Sequence, residues 1–492
     1  MQVTDSRRAV QATAVLEPFV PEPTVEFVQE MRSREAAPQP APRIPIPMPR
    51  PIPLQFGSRF IIWKQDPSVL ELGRRLVYIQ GLILNGPRDA RIDTTLPGIT
   101  PIVRNANGDF IFHIADTPEA DGAHTYAVVR QTLTMYERVQ GGTAVPWAWN
   151  TAGNTDVLTV HPRAGVTANA FYSRTDKALK FFFFTPAGAS SPVFTCRSLD
   201  ICAHETGHAI LDGIKPGWLA FGNPPQTGAL HEAFGDLSAL FLALSQLDQA
   251  EAFIAMTKAN LHAKNFLAAL AEQFGVALGQ QIGLRNADND LKLSQVSNQV
   301  HALSQVFTGG VYDVLADIFA FERNRQRATK DPAQVLVEVS RQLCALVLKG
   351  VQNAPASGAT FTHVVNEMLQ ASHTQGDPGI YRTFIRNRFT FREVVVSPTP
   401  LTAMAMSDID LDNADFTVGE DALKLKEAQP EHASIHAQQD RTGCCGTMQL
   451  PEYYQDADAL DSELDDLRET GTPIPPERLL ADEIHSLEQA FA

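Results

Sequence analysis

The stretch Ser198-Leu199-Asp200-Ile201-Cys202-Ala203-His204-Glu205-Thr206-Gly207-His208-Ala209-Ile210-Leu211-Asp212-Gly213 decides how this chain is read. Leu199, Cys202, Ala203, Ile210 and Leu211 recur at helical spacing, Ser198 stands where an N-cap would, and Gly213 supplies a stop. On that helix His204 and His208 are four residues apart and share a face, so both imidazoles reach one ion. Glu205 stands beside them and can take a proton from water activated by the metal. Gly207 costs such a helix about 1 kcal/mol against Ala, which close packing or approach to the ion would offset.

Two histidines leave a zinc site incomplete, because catalytic zinc takes three protein ligands and keeps one position open. A third histidine six residues after His208 would fall at Ile214, which closes that route. Further on, Gly228-Ala229-Leu230-His231-Glu232-Ala233-Phe234-Gly235-Asp236 opens a second apolar helix. Glu232 and Asp236 share a face there. Glu232 is placed to ligate, and Asp236 to accept a hydrogen bond from the far nitrogen of a liganding histidine. His231 points elsewhere on an ideal helix and reads as a packed polar residue.

Outward from these helices the character of the chain changes on both sides. Residues 57–172 carry short strand-like patterns, with turn signals at Asn85-Gly86, Asn107-Gly108 and Gly141-Gly142 and one helical stretch over 124–138. The run 179–184, LKFFFF, reads as a buried strand. After Cys196 long Ala/Leu-rich periodic segments continue to about Asn366. The expected fold is α+β: an N-terminal α+β lobe over 57–213 ending in the metal helix, and a mainly helical C-terminal lobe over 214–396, with the site between them. Residues 1–56 form a leader in which eight prolines fall in the sixteen positions 38–53, the composition of a polyproline II spacer.

Charge separates the ends from the body. Residues 397–492 hold 21 Asp+Glu against 5 Lys+Arg, so the chain's whole net charge of −16 resides there and residues 1–396 balance. The tail mixes these acids with Pro and Gly, expected to form little fixed structure beyond a terminal helix near 476–491. It reads as a segment that covers the site or recruits a partner. A balanced body excludes the basic stripe of a nucleic-acid binder. No apolar run reaches the length of a membrane span, and MQVTDSRRAV has no Sec-type core, so cytoplasmic retention or non-Sec export is expected. Five cysteines make no disulfide framework. Cys444-Cys445 reads as part of the tail, and His161, His262, His363 and His373 are scattered without ligand spacing.

The pairing of DICAHETGHAILDG with GALHEAFGD resembles the thermolysin family of zinc metalloendopeptidases, within the gluzincin group. Further segments carry the resemblance in order over 110–395: Ala123-His124 with Tyr126, Asn169-Ala170-Phe171-Tyr172, Leu284-Arg285, and Val300-His301 with Ser304. The resemblance implies a two-lobed thermolysin-like fold and one Zn2+ per chain held by His204, His208 and Glu232. It further implies Glu205 as general base, His301 as hydrogen-bond donor to the oxyanion, and Asp236 as support of a ligand histidine. Asn169 and Ala170 would hold extended substrate and Arg285 a substrate carbonyl, so the implied partner is a peptide or protein cut at internal bonds. An apolar pocket would choose the residue after the cut.

This chain departs from the family in places. The loop 215–227 is about four residues longer and holds no tyrosine, with Trp218 and Leu219 at the corresponding place. The acidic partner of His301 is replaced by Val296. Asp200 matches one ligand of the family's calcium site, while the glutamate of the second helix falls near Ala243, which leaves calcium open. Two other readings share these residues: an aminopeptidase-type gluzincin, for which no acidic anchor is recognisable, and a degenerate protein that binds zinc or peptide without turnover.

Overall fold

In a computed structural model the chain divides into two units, Met1–Gln55 and Phe56–Ala492. The structure describes residues 57–95, 100–186, 188–220, 222–278 and 283–395. The Pro-rich leader, the acidic tail with Cys444 and Cys445, and the expected terminal helix all lie outside the described residues.

The described residues form a mixed α+β architecture, with strands concentrated before residue 195 and helices after it. The first part contains β1 (Gly57–Trp63), β2 (Arg74–Gln80), β3 (Ile92–Asp93), α1 (Pro118–Val139), β4 (Leu158–His161), β5 (Ala170–Ser173), β6 (Ala178–Phe181), β7 (Phe183–Phe184) and β8 (Val193–Phe194). The second contains α2 (Leu199–Ile214), α3 (Pro225–Leu244), α4 (Leu247–Thr257), β9 (Ala269–Leu270), α5 (Glu272–Ala277), β10 (Arg285–Asn286), α6 (Val300–Gln326), α7 (Pro332–Asn353), α8 (Phe361–Thr374) and α9 (Gly379–Phe391). Helical structure thus runs past Asn366 to Phe391. Among the described residues no helix is long and apolar enough to cross a membrane.

Capping explains several boundaries. The helix expected over 124–138 begins earlier, at Pro118, because Thr117 Oγ1 accepts the Ala120 N–H and Pro118 fits the first turn. Ser198 caps α2 through its hydroxyl, which accepts the Ile201 N–H at 3.4 Å. A four-stranded sheet has the order β3-β4-β6-β5, with β5 antiparallel to β6 at its outer edge. The run 179–184 is two strands and not one. Phe182 is the junction: its N–H is shared between Asn169 O beside β5 and Thr195 Oγ1, its carbonyl accepts the Thr195 N–H, and the chain then pairs with β8.

Helix α2 is buried on all sides, packed on α3, α1 and β5, while α3 packs in turn on α6. Where α2 and α3 cross, a Cβ on Gly207 would stand 2.5 Å from Ser238 Oγ and 3.0 Å from Gly235 Cα. Packing between helices therefore explains Gly207. The same crossing brings the His204 and His208 face of one helix onto the Glu232 face of the other.

Gly213 does not end α2, which runs through Ile214 to a cap at Lys215. Its reason is tertiary: a Cβ there would lie 1.8 Å from the Pro146 carbonyl oxygen. Because that neighbour is backbone, Gly213→Ala is expected to destabilise the protein by about 3 kcal/mol or more, read as a lower denaturation midpoint. An unchanged midpoint would show that the 146–147 segment yields freely.

The segment 215–224 contains the short 3-10 helix Pro216–Leu219, and α3 starts at Pro225. Trp218 is fully buried there and its indole N–H donates to Pro355 O at 2.9 Å. Asn223 Nδ2 ties the turn together through the carbonyls of Gly217, Trp218 and Ala220. Trp218 is thereby committed to packing.

Candidate metal centre

Three buried side chains converge where α2 meets α3. One nitrogen from each of His204 and His208 and one oxygen from Glu232 lie within 4.8 Å of one another. The two Nε2 atoms are 3.0 Å apart, and Glu232 reaches each of them at 3.5 Å. The i,i+4 spacing of the histidines and the depth of the crossing produce this arrangement without any loop. Among the described residues this group and a second one, His262 with Asp288 and Asp313, could hold a metal ion.

The far nitrogens of both histidines are held. His204 Nδ1 lies 3.0 Å from Asp236 Oδ1, so the i,i+4 partner of Glu232 supports a histidine as its spacing suggests. Asp236 is in turn gripped by Arg285, whose Nη2 and Nε donate to Oδ1 at 2.7 and 3.2 Å. Burial works to raise the Asp236 carboxyl, but the Arg285 guanidinium and His204 outweigh it and hold it below its ordinary value. His208 Nδ1 lies 3.1 Å from His231 Nδ1. Burial first, then the charges of Arg174 and His204, push His231 down to about 3, so it is neutral and can accept the His208 N–H.

With both far nitrogens engaged, the two Nε2 lone pairs and the Glu232 carboxylate face one point. Such a set repels itself unless positive charge sits among it. Burial opposes a proton on His204, yet the hydrogen bonds to Asp236 and Glu232 raise it to about 9. Burial first, and then the charge on His204, hold His208 well below its ordinary value. A proton on one ring and a divalent ion among all three groups answer the same electrostatic demand. Two imidazoles and a carboxylate are a donor set that suits zinc, so the residues fit that ion.

The other expected residues fall around this group. Glu205 is fully buried on α2 and, with His204, Asp236 and Arg285, lines a cavity of about 20 Å³, room for one water. Ile201, Ala239, Leu270 and Leu284 give that cavity an apolar wall. His301, in the first turn of α6, has Nε2 3.5 Å from Glu232 Oε2. Arg285 is buried, not a solvated surface charge, with Nη1 3.7 Å from Glu232 Oε2 as well as its bonds to Asp236. Asn169 immediately precedes β5 and Ala170 opens it, on the outer strand that packs against α2. Val296, where the family has an acid, packs against the core.

His231 is the residue that sequence reasoning undervalued. Its position just before Glu232 turns it away from that ligand, as expected of an ideal helix, but the same turn places it on His208. The available signal was a second imidazole adjacent to a ligand, in a helix otherwise apolar.

Asp200 lies one turn before His204, with Oδ2 accepting from Gln65 Nε2 at 3.0 Å and Ala271 N at 3.3 Å. Ala243 is fully buried in α3 and offers no side-chain oxygen for calcium; Asp66 and Glu272 stand beside Asp200 instead. Burial and the Asp66 charge push Asp200 up to about 8, and burial with Asp200 and Asp66 pushes Glu272 up to about 9. These carboxyls keep protons that the unfolded chain releases near pH 4, so the native state binds more protons between the two values. Their contribution is complete below about pH 4 and is lost as pH rises through 8 to 9. The thermal midpoint is therefore expected to fall from pH 6.5 to 9, and Asp200→Asn to flatten that fall, since Asn can accept the same two hydrogen bonds. Equal slopes in the two proteins would remove Asp200 as the cause.

No protein-family model matches the chain, and no curated protein matches it. Among solved structures it is similar to the precursor of protealysin, a metalloproteinase from Serratia proteamaculans, at 13% identity and a TM-score of 0.38. That match covers 61% of this chain and 84% of the other. A likeness this distant carries no weight for the site, which stands on its own geometry.

Proposed function

We propose that this chain is a zinc-dependent metallopeptidase of thermolysin-like type that hydrolyses internal peptide bonds. His204, His208 and Glu232 would hold one zinc ion per chain. The observation that carries the reading is the convergence of these three buried donors, with Asp236 and His231 fixing the far nitrogens of the two rings. When bound, zinc supplies Lewis acidity that polarises a carbonyl and acidifies water near neutral pH.

The chain's own groups account for the rest. Glu205, next to His204 and on the shared cavity, takes the proton of the attacking water and passes it to the leaving nitrogen. His301, at the N-terminal turn of α6 and beside Glu232, donates a hydrogen bond to the oxyanion, where the helix end also favours negative charge. Asn169 and Ala170 pair with extended substrate along the outer edge of β5. Arg285, fixed by Asp236, turns toward a substrate carbonyl. Ile201, Leu270 and Leu284 give the substrate side chain after the cut an apolar wall to meet. No loop tyrosine assists the oxyanion, and the Trp218 indole N–H is already spent on Pro355, so turnover is expected to be modest.

The test is metal content of the purified full-length protein measured alongside hydrolysis of casein, with and without a chelator. At least one zinc per chain, lost with His204→Ala/His208→Ala, and chelator-sensitive cleavage are expected. Zinc without cleavage of casein or of any unfolded protein would replace this reading with a binding protein, and absence of zinc after reconstitution would overturn the ligand set.

A further inference from the structure

We propose that His262, Asp288 and Asp313 form a second divalent-metal site, separate from the His204, His208 and Glu232 group and independent of any peptidase activity. One ring nitrogen and one oxygen from each carboxylate lie within 4.8 Å of one another. Donors around a single ion with bonds of about 2.0–2.2 Å occupy that spread. The three residues come from separate segments: His262 follows α4, Asp288 follows β10, and Asp313 sits in the middle of α6. Their meeting is a product of tertiary folding and not of local spacing.

The imidazole supplies the second observation. Its side chain is 9% exposed, and Nδ1 lies 2.9 Å from Asp288 Oδ1. Nε2 is buried with no hydrogen-bond partner. The nitrogen that faces the carboxylates is Nδ1, and an ion held there with Asp288 and Asp313 would take the place of the proton that Nδ1 and Asp288 share.

The surroundings hold these groups in place. Tyr312, next to Asp313 on α6, donates its hydroxyl to Leu261 O at 2.7 Å and stands edge-on to the His262 ring. Arg392 is fully buried and binds Asp313 Oδ2 at 2.8 Å, Leu291 O at 2.9 Å and Asn289, which ties the loop after Asp288 to α6. One turn further along, Asp317 is matched by Arg388 through two contacts of 2.6 Å. The two arginines thus answer Asp313 and Asp317, while Asp288 meets the imidazole. One nitrogen and two carboxylate oxygens suit a borderline ion of the zinc or manganese type better than a soft one. The ion would staple the segment that carries Arg285, three residues before Asp288, onto α6.

The experiment uses full-length protein stripped by chelator, reloaded with Zn2+ or Mn2+, desalted and counted for metal. Wild type is expected to hold two equivalents. The double variant His204→Ala/His208→Ala is expected to keep one, with a metal-induced rise in thermal midpoint. Adding Asp288→Asn to that background is expected to remove both the equivalent and the rise. His262→Gln makes the same comparison if the Asp288 variant does not fold by circular dichroism. The proposal is overturned if the double variant binds no metal, or if the further substitution leaves its metal count unchanged.

Discussion

Glu205→Gln is expected to keep a full equivalent of zinc while losing peptide hydrolysis by about 10²–10⁴-fold, the usual contribution of a positioned proton-transfer group. The two halves of that expectation have separate grounds. Zinc retention follows from geometry, because the converging donors are His204, His208 and Glu232, and Glu205 is not among them. Loss of turnover follows from chemistry: the amide of Gln fills the same space at the cavity beside His204 but cannot accept a proton from water. Metal analysis and a casein assay on the same preparation read both. A variant that cleaved as well as the wild type would end the assignment of Glu205 as base, even with the metal site intact.

The other large effect is expected at Asp236. This carboxylate meets His204 Nδ1 at 3.0 Å and Arg285 Nη2 at 2.7 Å in a buried setting. Asp236→Ala takes from a buried guanidinium its shortest carboxylate contact, a change that costs about 3–5 kcal/mol in comparable buried pairs. It also releases His204 from the orientation that aims Nε2 at Glu232, with an expected loss of about 10–100-fold in zinc affinity. Denaturant unfolding and competition with a chromogenic chelator measure the two effects separately. Asp236→Asn should recover part of the affinity, since its carbonyl oxygen can still accept from His204, but little of the stability, since it does not neutralise Arg285. Full zinc affinity in the alanine variant would make Asp236 a structural partner of Arg285 alone.

The metal helix was legible because its information is local: Ser198, the two histidines and Glu205 are fixed by a period of 3.6 residues. Glu232 and Asp236 followed from the same period on the next helix. Gly213 misled for a physical reason, since a glycine near the end of an apolar run signals a stop, while its need here comes from the Pro146 carbonyl, distant in sequence. LKFFFF was unreadable as two strands, because at Phe182 the chain passes from its partner beside Asn169 to one at Thr195, both distant in sequence. His231 and His262 carry no ligand spacing of their own. Each acquires its meaning from residues some 23 or more positions away, and only the folded chain shows them.

The crossing of α2 and α3 at Gly207 and Gly235 has one more implication. Among the described residues, the converging donors ride on two helices locked together at that crossing and on no loop. They have no melting transition separate from that of the hydrophobic core around them. Heat inactivation of this centre would therefore coincide with global unfolding and would not precede it. Among the described residues, tuning of its reactivity by flexibility would come from the elements at its rim, the outer strand β5 and the first turn of α6, while the centre itself stays rigid.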